Sequence, residues 1–254
     1  MTKVIKELDN WKVIRKSNFF HNKTVGLVPT MGALHDAHIA LIKKSIQQND
    51  ITVVTIFVNP TQFNNQKDFK NYPNTLKEDL SKLKKLKVDY LINPRYEDIY
   101  PDNYEYKVIE SNFSKILCGK YRPGHFDGVL TVVLKLLNLI KPNRAYFGEK
   151  DFQQLKLIEG MVNAFFIDTK IVSLPTVRTK DGLALSSRNL KLSEEQKIKA
   201  VDFPKSLASS LSNDKIKSQL RKKGFKVEYV EQIDNRRFGA VYLGNVRLID
   251  NVKI

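Results

Sequence analysis

Cysteine is almost absent from the sequence, since Cys118 is the only one among 254 residues. One thiol cannot form a disulfide within the chain, which predicts a protein of a reducing compartment such as the cytoplasm. Structural zinc sites need four Cys or His ligands, so one cysteine and four scattered histidines disfavour zinc. No apolar run approaches the roughly 20 residues that cross a bilayer, and residues 1–10 lack the apolar core of a signal peptide. We therefore expect a cytoplasmic protein without membrane association.

Two common phosphate-binding loops are also missing. The sequence contains neither a Gly-x-x-x-x-Gly-Lys loop nor a Gly-x-Gly-x-x-Gly loop. The sequence therefore gives no support for a P-loop protein or for a common dinucleotide-binding protein.

Acidic residues are few beside basic ones, with 27 Asp and Glu against 43 Lys and Arg, for a net charge of +16. Such a charge is typical of nucleic-acid-binding proteins. The lysines of residues 82–87 and 215–217, however, alternate with apolar residues at helical spacing, which indicates the solvated faces of amphipathic helices. We expect no nucleic-acid partner, and a basic nucleic-acid-binding module is the remote alternative. A basic field also favours anionic small molecules.

Apolar, β-branched runs alternate with amphipathic segments as far as residue 175. This alternation predicts an α/β fold with a mostly parallel sheet and helices on both faces. The predicted strands are residues 24–28, 51–58, 90–92, 144–147 and 170–174, with a less regular candidate at 106–109. The predicted helices are residues 5–16, 39–48, 75–87, 129–140 and 152–165.

The pattern changes after residue 177. Residues 193–196, Ser-Glu-Glu-Gln, form a capping box that predicts a helix start. Residues 225–233 and 240–249 alternate apolar and polar side chains, as antiparallel strands do. We expect a first domain at 1–177 and a small C-terminal α+β domain at 178–254.

The segment 28–38 follows the first buried strand and carries two histidines, His35 and His38, just before a helix. A strand that leads through a loop into a helix places backbone N–H groups and a positive dipole end at one point. In an open α/β sheet, that point lies at the edge where ligands bind. The imidazoles could bind phosphate there, and a metal pair or a packed histidine turn are the alternatives.

Three further polar segments, residues 59–63, 148–154 and 186–189, follow strands or lie near the domain boundary. A lysine suits phosphate, an aspartate suits ribose hydroxyls, and a Ser-Ser-Arg sequence suits a polyphosphate. Two glutamines, Gln62 and Gln154, could hold a hydroxy acid. Taken singly, 149–151 could be an ordinary helix start and 186–189 a plain turn, while His125 could simply hold its own loop.

Five motifs in register carry a family resemblance. They are Pro-Thr-Met-Gly-Ala-Leu-His-Asp-Ala-His at 29–38, Phe-Val-Asn-Pro-Thr-Gln-Phe at 57–63, Arg-Pro-Gly-His-Phe-Asp-Gly-Val at 122–129, Gly-Glu-Lys-Asp-Phe-Gln-Gln at 148–154 and Leu-Ser-Ser-Arg-Asn at 185–189. The chain resembles the pantothenate synthetase (pantoate–β-alanine ligase) family over most of residues 25–195. The resemblance implies the Rossmann-like domain of nucleotidyl transferases with a His-x-Gly-His motif, a C-terminal lid domain and a homodimer.

The resemblance also implies a reaction. Pantoate would attack the α-phosphorus of ATP to give pantoyl adenylate and pyrophosphate, and β-alanine would then displace AMP to give pantothenate. Mg²⁺ is implied as a companion of ATP. The alternative is another nucleotidyl transferase or adenylate-forming enzyme of the same fold.

Site residues follow from the resemblance position by position. The catalytic residues would be His35, His38, Lys150 and Arg188. ATP would contact Pro29, Thr30, Met31, Gly32, Ala33, Leu34, His35, Asp36, Ala37, His38, Gly148, Glu149, Lys150, Asp151, Val177, Leu185, Ser186, Ser187 and Arg188. Pantoate and β-alanine would contact Asn59, Gln62 and Gln154. Outside the five motifs, we expect Asp79, alone or together with Glu78, to be the protein ligand of Mg²⁺.

Two residues depart from the family pattern. Ala37 replaces the usual glycine, and Leu185 replaces the usual methionine. Ala37 is expected in the first helical turn, where φ is negative and a methyl group costs little. Leucine conserves the volume and apolarity of methionine, so we expect little change there.

Overall fold

Six parallel strands form the central sheet in the structure, a computed structural model that describes residues 2–254. The strand order is β1-β4-β3-β2-β5-β6. The strands are β1 Lys3–Ile5, β2 Val25–Thr30, β3 Ile51–Ile56, β4 Tyr90–Ile92, β5 Arg144–Gly148 and β6 Lys170–Leu174. This confirms the predicted α/β fold with a parallel sheet.

Eleven helices connect or follow these strands within residues 2–254. They are α1 Leu8–Lys16, α2 Asp36–Gln48, α3 Gln66–Lys70, α4 Leu76–Lys85, α5 Tyr96–Ile99, α6 Cys118–Tyr121, α7 His125–Ile140, α8 Phe152–Ala164, α9 Glu194–Ala200, α10 Asp202–Leu207 and α11 Asn213–Lys222. Short 3₁₀ turns lie at Asn18–Phe20, Pro60–Gln62, Phe113–Lys115, Glu149–Asp151 and Ser187–Lys191. In the part of the chain from residue 2 onward, none of the helices has the length and apolarity to cross a membrane.

Helices cover both faces of the sheet, which explains why its central strands are apolar throughout. All six residues of β3 are buried, as is typical of a parallel strand covered on both sides. One apolar cluster contains Trp11 together with much of α7 and α8. A second cluster on the other face contains Ile42 of α2 and Leu83 of α4.

The sheet reverses its winding direction between β2 and β5. From β2 the chain continues to β3 on one side, whereas β5 and β6 lie on the other side. In open α/β sheets, this reversal creates a crevice at the carboxyl ends of the two strands. The segments that leave β2 and β5 therefore face each other across the crevice.

Three antiparallel strands form a second sheet, in the order β7 Lys226–Ile233, β8 Arg236–Leu243 and β9 Val246–Lys253. The single strand predicted at 240–249 is wrong, because a turn at Gly244, with φ of 58°, divides it into two strands. The phase of burial changes at this turn, since Val241 and Leu243 are buried before it and Val246 and Leu248 after it, which one continuous strand could not produce. The sheet and helices α9–α11 share their own apolar cluster.

Two other predicted elements differ from the structure. The first helix begins at Leu8, because Lys3–Ile5 pairs with β4 as an edge strand. The strand predicted at 106–109 is absent, and Tyr106 and Ile109 are exposed. These side chains lie at the surface, where there is no apolar layer against which a strand could pack.

Helix α7 approaches the Pro60–Gln62 turn so closely that only glycine fits at position 128. A Cβ there would lie 2.6 Å from the Thr61 carbonyl oxygen and 2.8 Å from the Gln62 nitrogen. The absence of a side chain allows Asn59 Nδ2 to donate to the Gly128 carbonyl at 3.1 Å. Gly128 therefore sets the distance between this turn and α7.

We predict that Gly128→Ala lowers the free energy of unfolding by about 1–3 kcal/mol, because the added methyl group overpacks the contact. Gly160→Ala in α8 is the matched control, since a Cβ there meets nothing within 4 Å. That change should raise the stability by about 0.5–1 kcal/mol through helix propensity. Urea unfolding of both variants measures the effect, and equal stability of the two variants would contradict it.

Candidate active site

A cavity of about 280 Å³ lies at the carboxyl ends of β2 and β5. All four polar segments singled out in the sequence reach it. The predicted site residues that line it are Pro29, Thr30, Met31, His35, Ala37, His38, Asn59, Gln62, Gly148, Lys150, Asp151, Gln154, Leu185, Ser186, Ser187 and Arg188. Ala37 lies in the first turn of α2, as predicted.

Six of the residues predicted to contact ATP do not line this cavity, namely Gly32, Ala33, Leu34, Asp36, Glu149 and Val177. Gly32 and Ala33, with φ of 80° and 50°, turn the chain after β2. The Val177 carbonyl accepts from the Leu185 N–H at 3.0 Å, so Val177 supports a lining residue. Glu149 lies 3.7 Å from Arg236 of the second sheet.

The two histidines of the opening segment pack against each other with their rings tilted by 32°. Their ring centroids are 4.1 Å apart, and the His35 backbone N–H donates to His38 Nδ1 at 3.4 Å. That bond leaves the proton of a neutral His38 on Nε2. Burial, followed by the Lys150 charge, lowers the pKa of His35 to about 4, and burial, followed by His35 and Lys150, lowers that of His38 to about 3. Both rings are therefore neutral donors at physiological pH.

A metal centre finds no support around these histidines. Within residues 2–254, no three His, Cys, Asp or Glu side chains form a group that could hold a metal ion. The positive charges of Lys150 and Lys82 lie near both histidines and lower the pKa of each. This environment favours an anion over a metal ion.

Asp79 of α4 holds the loop that precedes the histidines. Its two carboxylate oxygens accept from the Ala33 and Leu34 backbone N–H groups, each at 2.8 Å, and the side chain is fully buried. The Thr75 hydroxyl also donates to Asp79, at 3.1 Å, and does not cap the backbone of α4. The Lys82 ammonium binds the Leu34 carbonyl. Because both oxygens of Asp79 are occupied, the geometry gives no support to this residue as an Mg²⁺ ligand.

The carboxamide of Gln62 is positioned by Asn59. Asn59 Nδ2 donates to Gln62 Oε1 at 3.2 Å, and the Tyr100 hydroxyl donates to Asn59 Oδ1 at 3.0 Å. Gln62 Nε2 lies 2.9 Å from the sulfur of Met31. The Pro60–Gln62 turn therefore meets the opening loop inside the cavity.

The adjacent glutamines of α8 have different surroundings. The Gln154 side chain lines the cavity and forms no hydrogen bond to another residue from 2 to 254. Gln153 is buried and binds backbone groups of Cys118, Phe113 and Ile116. Gln154 is therefore the glutamine available to a ligand.

The second sheet fixes the Glu149–Asp151 turn. Asn251 of β9 donates its amide N–H groups to the Glu149 and Lys150 carbonyls, both at 2.9 Å. The turn does begin a helix, as the alternative interpretation supposed, because α8 starts at Phe152. It nevertheless places Lys150 in the cavity, 3.7 Å from Asp151.

The Ser-Ser-Arg segment attaches to the first sheet from the other side. The Ser187 hydroxyl donates to the Ala33 carbonyl at 3.3 Å. The Arg188 guanidinium binds Asp68 of α3 at 2.8 Å. This segment is more than a plain turn, since it closes the cavity against the opening loop.

Sequence reasoning missed several lining residues, including Tyr72, Arg122, Asp250 and Asn251. Arg122 belongs to the third motif and could have been found there. It donates to the Gln62 carbonyl at 3.1 Å and to His125 Nε2 at 2.9 Å. Asp250 and Asn251 lie in the last strand, which carries no motif. His125 binds the Gln62 carbonyl at 2.8 Å, so it holds a neighbouring loop as well as its own.

Comparison with known proteins gives one consistent result. Residues 1–253 match the family described as pantoate-beta-alanine ligase. The chain is 52% identical over 254 residues to a pantothenate synthetase of Bdellovibrio bacteriovorus, covering all of both chains. It is 50% identical over 252 residues to one of Coxiella burnetii, covering 99% of this chain and 97% of the relative.

Solved structures agree with these matches. A pantoate-beta-alanine ligase from Francisella tularensis, described as complexed with beta-gamma ATP and beta-alanine, superposes with a TM-score of 0.95. It is 44% identical, and the match covers all of this chain and 98% of that one. A pantothenate synthetase from Thermus thermophilus gives a TM-score of 0.89 at 33% identity over 99% of each chain.

We predict that Asp79→Asn lowers the free energy of unfolding by about 1–3 kcal/mol, because an amide loses a charged acceptor of two buried N–H groups. Glu78→Gln, an exposed neighbour in the same helical turn, is the control. Urea unfolding checks this. Unchanged stability of the asparagine variant, together with a raised Mg²⁺ requirement, would instead favour the metal-ligand prediction.

The lowered histidine pKa values predict a pH dependence of stability. The unfolded chain takes up protons below about pH 6.5, whereas folded His35 does so only near pH 4 and His38 near pH 3. The unfolded state binds more protons in this interval, so the free energy of unfolding falls as the pH falls from 6.5 towards 4. His38→Gln should reduce that loss by about 2 kcal/mol between pH 7 and pH 5. Urea unfolding at each pH measures it against His21→Gln at the surface, and equal losses in the two variants would contradict it.

Proposed function

Because the chain belongs to the pantoate–β-alanine ligase family, we propose that the cavity between its two sheets joins pantoate to β-alanine. The protein is a ligase that forms a C–N bond and makes pantothenate with the use of ATP. One observation supports this cavity as the site. The neutral histidine pair, Lys150, the Ser-Ser-Arg segment and two glutamines line the same 280 Å³.

The first step forms pantoyl adenylate. A pantoate carboxylate oxygen attacks the α-phosphorus of ATP, and pyrophosphate leaves with its electron pair. His35 and His38 donate N–H groups to the phosphate oxygens, where negative charge increases in the transition state. Lys150 adds a point charge, and Arg188 with Ser186 and Ser187 binds the outer phosphates. Gly148 and Asp151 border the ribose.

The second step forms the C–N bond. The carboxamides of Gln62 and Gln154 hold the pantoyl group, since an amide can both donate to and accept from a hydroxy acid. The β-alanine amine attacks the acyl carbon, and the bond from that carbon to the AMP oxygen breaks. Asn59 keeps the Gln62 carboxamide in place throughout.

Mg²⁺ enters this proposal with ATP as part of the substrate. The residues present do not form a protein-held Mg²⁺ site, because Asp79 uses both oxygens for backbone N–H groups. Mg²⁺ commonly binds proteins through few side chains and mainly through substrate phosphates and water. No step here depends on a protein-bound metal.

We also propose that residues 178–254 are a lid domain on a first domain at 1–177. A separate apolar cluster, which α9–α11 share with part of the second sheet, supports this division. Tyr229 and Phe238 of the second sheet pack in the main cluster, and the bonds of Asn251 and Ser187 also hold the lid against the first domain. A closed lid would keep water from hydrolysing the acyl adenylate. A homodimer and a cytoplasmic location are proposed from the family resemblance.

Omission of one substrate at a time tests the reaction. We expect AMP release only when pantoate, β-alanine and ATP are all present. ATP turnover that does not depend on pantoate would contradict the proposal and favour another nucleotidyl transferase.

We predict that His38→Ala lowers kcat about a hundredfold or more, because one preorganised donor to the transition state is lost. The measurement is the pantoate-dependent rate of AMP release. His21→Ala, an exposed histidine, is the control and should retain the full rate. A His38→Ala rate near that of the unchanged protein would reject the catalytic role.

A further inference from the structure

Lys150 depends on its own backbone for its position in the cavity. Its ammonium lies 3.7 Å from Asp151, which is beyond hydrogen-bond distance. A lysine carries its charge at the end of a flexible four-carbon stem. The Glu149–Asp151 turn must therefore be held in place if this charge is to lie at a fixed point.

The carboxamide of Asn251 binds this turn from the second sheet. Asn251 is buried, and its Nδ2 donates to the Glu149 and Lys150 carbonyls, both at 2.9 Å. Both N–H groups of the amide are used, so one side chain fixes two successive peptide groups. These two bonds set the direction in which the Lys150 side chain leaves the backbone.

Arg236 of β8 fixes the orientation of that carboxamide. A guanidinium nitrogen of Arg236 donates to Asn251 Oδ1, which directs Nδ2 of Asn251 toward the turn. The same guanidinium lies 3.8 Å from the centre of the Phe152 ring, at the first residue of α8, and 3.7 Å from the Glu149 carboxylate. Arg236 therefore contacts both ends of the arrangement.

The backbone of Asn251 is fixed from the domain boundary. Arg178 donates to both oxygens of the Asp250 carboxylate, at 2.6 and 2.9 Å. One of these oxygens also accepts the Asn251 backbone N–H at 2.8 Å, and only 1% of the Asp250 side chain is exposed. A continuous series of bonds thus runs from the boundary, through β9, to the turn that carries Lys150.

We propose that Asn251 is a positioning residue for adenylate formation, because its two donor bonds place the Lys150 charge beside the phosphates of ATP. This inference rests on the proposed function, in which Lys150 acts in the first step. The second sheet then takes part in the first step through Lys150, in addition to covering the adenylate. Asn251 itself touches neither substrate nor reacting atom in this proposal.

The test separates positioning from covering. Pantoate-dependent exchange of labelled pyrophosphate into ATP, without β-alanine, measures adenylate formation. Release of AMP from ATP and pantoate, also without β-alanine, measures the hydrolysis that an opened lid would allow. The proteins are the unchanged chain, Asn251→Asp, Asn251→Ala and the control Asn235→Asp, which makes the same change at an exposed position between β7 and β8.

We expect Asn251→Asp to lower the exchange rate at saturating substrates about ten- to a hundredfold, since a displaced charge loses much of its effect on the transition state. The aspartate keeps an acceptor for Arg236 and loses both donors to the turn. Asn251→Ala loses the same donors without adding a charge and should show a similar decrease. The KM for pantoate should change less than about twofold, because Gln62 and Gln154 hold that substrate. AMP release without β-alanine should not rise, and Asn235→Asp should match the unchanged chain.

A double-mutant cycle with Lys150→Met tests whether Asn251 acts through Lys150. Once the charge is absent, there is nothing for Asn251 to position. Adding Asn251→Ala to Lys150→Met should therefore lower the exchange rate less than about threefold further. A purely structural role would lower it again by the full factor seen in the single variant.

Three results would overturn the inference. They are an unchanged exchange rate with increased AMP release in both Asn251 variants, a fully additive loss in the double variant, and a loss confined to the aspartate variant, which would trace the effect to its charge. If circular dichroism shows that both Asn251 variants are unfolded, Arg236→Met decides, since it removes the donor that orients the carboxamide. It should lower the exchange rate and leave the KM for pantoate in place, and an unchanged exchange rate would overturn the inference. Absence of pantoate-dependent exchange in the unchanged chain would instead refute the proposed function itself.

Discussion

The buried carboxylate of Asp79 is the interaction on which the site depends. It accepts two backbone N–H groups from the turn after β2, where Gly32 and Ala33 adopt left-handed backbone conformations. A non-glycine residue in that conformation persists only where its surroundings impose it. The carboxylate imposes it from α4, and the chain then enters α2 with both histidines at its start. Helix α4 thus determines where the imidazoles lie.

The same turn also contacts the C-terminal part of the chain. The Ala33 carbonyl accepts the Ser187 hydroxyl, and on the opposite side Asn251 binds the carbonyls around Lys150. The residues after 177 therefore contribute no strand to the parallel sheet, yet they contact both margins of the cavity. The proposed role of these residues as a lid agrees with the positions of these bonds, because they join residues after 177 to the loops around the parallel sheet.

The charged and polar side chains in the cavity favour anionic ligands. The histidines are held neutral by burial and by nearby lysines, so they can donate hydrogen bonds without requiring a counter-ion. Lys150 and Arg188 each have an acidic neighbour, whereas Arg122 has none within 4 Å among residues 2–254. A site that handles ATP and two carboxylate substrates needs such a distribution, since each anionic group must exchange water for a fixed donor.

The sequence by itself determined the α/β class, the parallel sheet and the segments that meet at its edge. Buried parallel strands are apolar throughout, and loops at their carboxyl ends converge whatever the details of packing. Five local motifs also determined the family, because each carries its residues within a few positions. Gln62, Lys150 and the histidines could therefore be predicted to face one ligand.

Only the tertiary structure decided which groups Asp79 and Asn251 bind and which side chains form hydrogen bonds with Gln62. Asp79 is 45 residues from Leu34, and Asn251 is 101 residues from Lys150. A carboxylate in a helix has the same local pattern whether it binds a metal or a backbone amide, so its partner depends on packing. The two histidines of the opening segment, residues 28–38, are thus evident from the sequence, but the conformation of the segment depends on residues far along the chain.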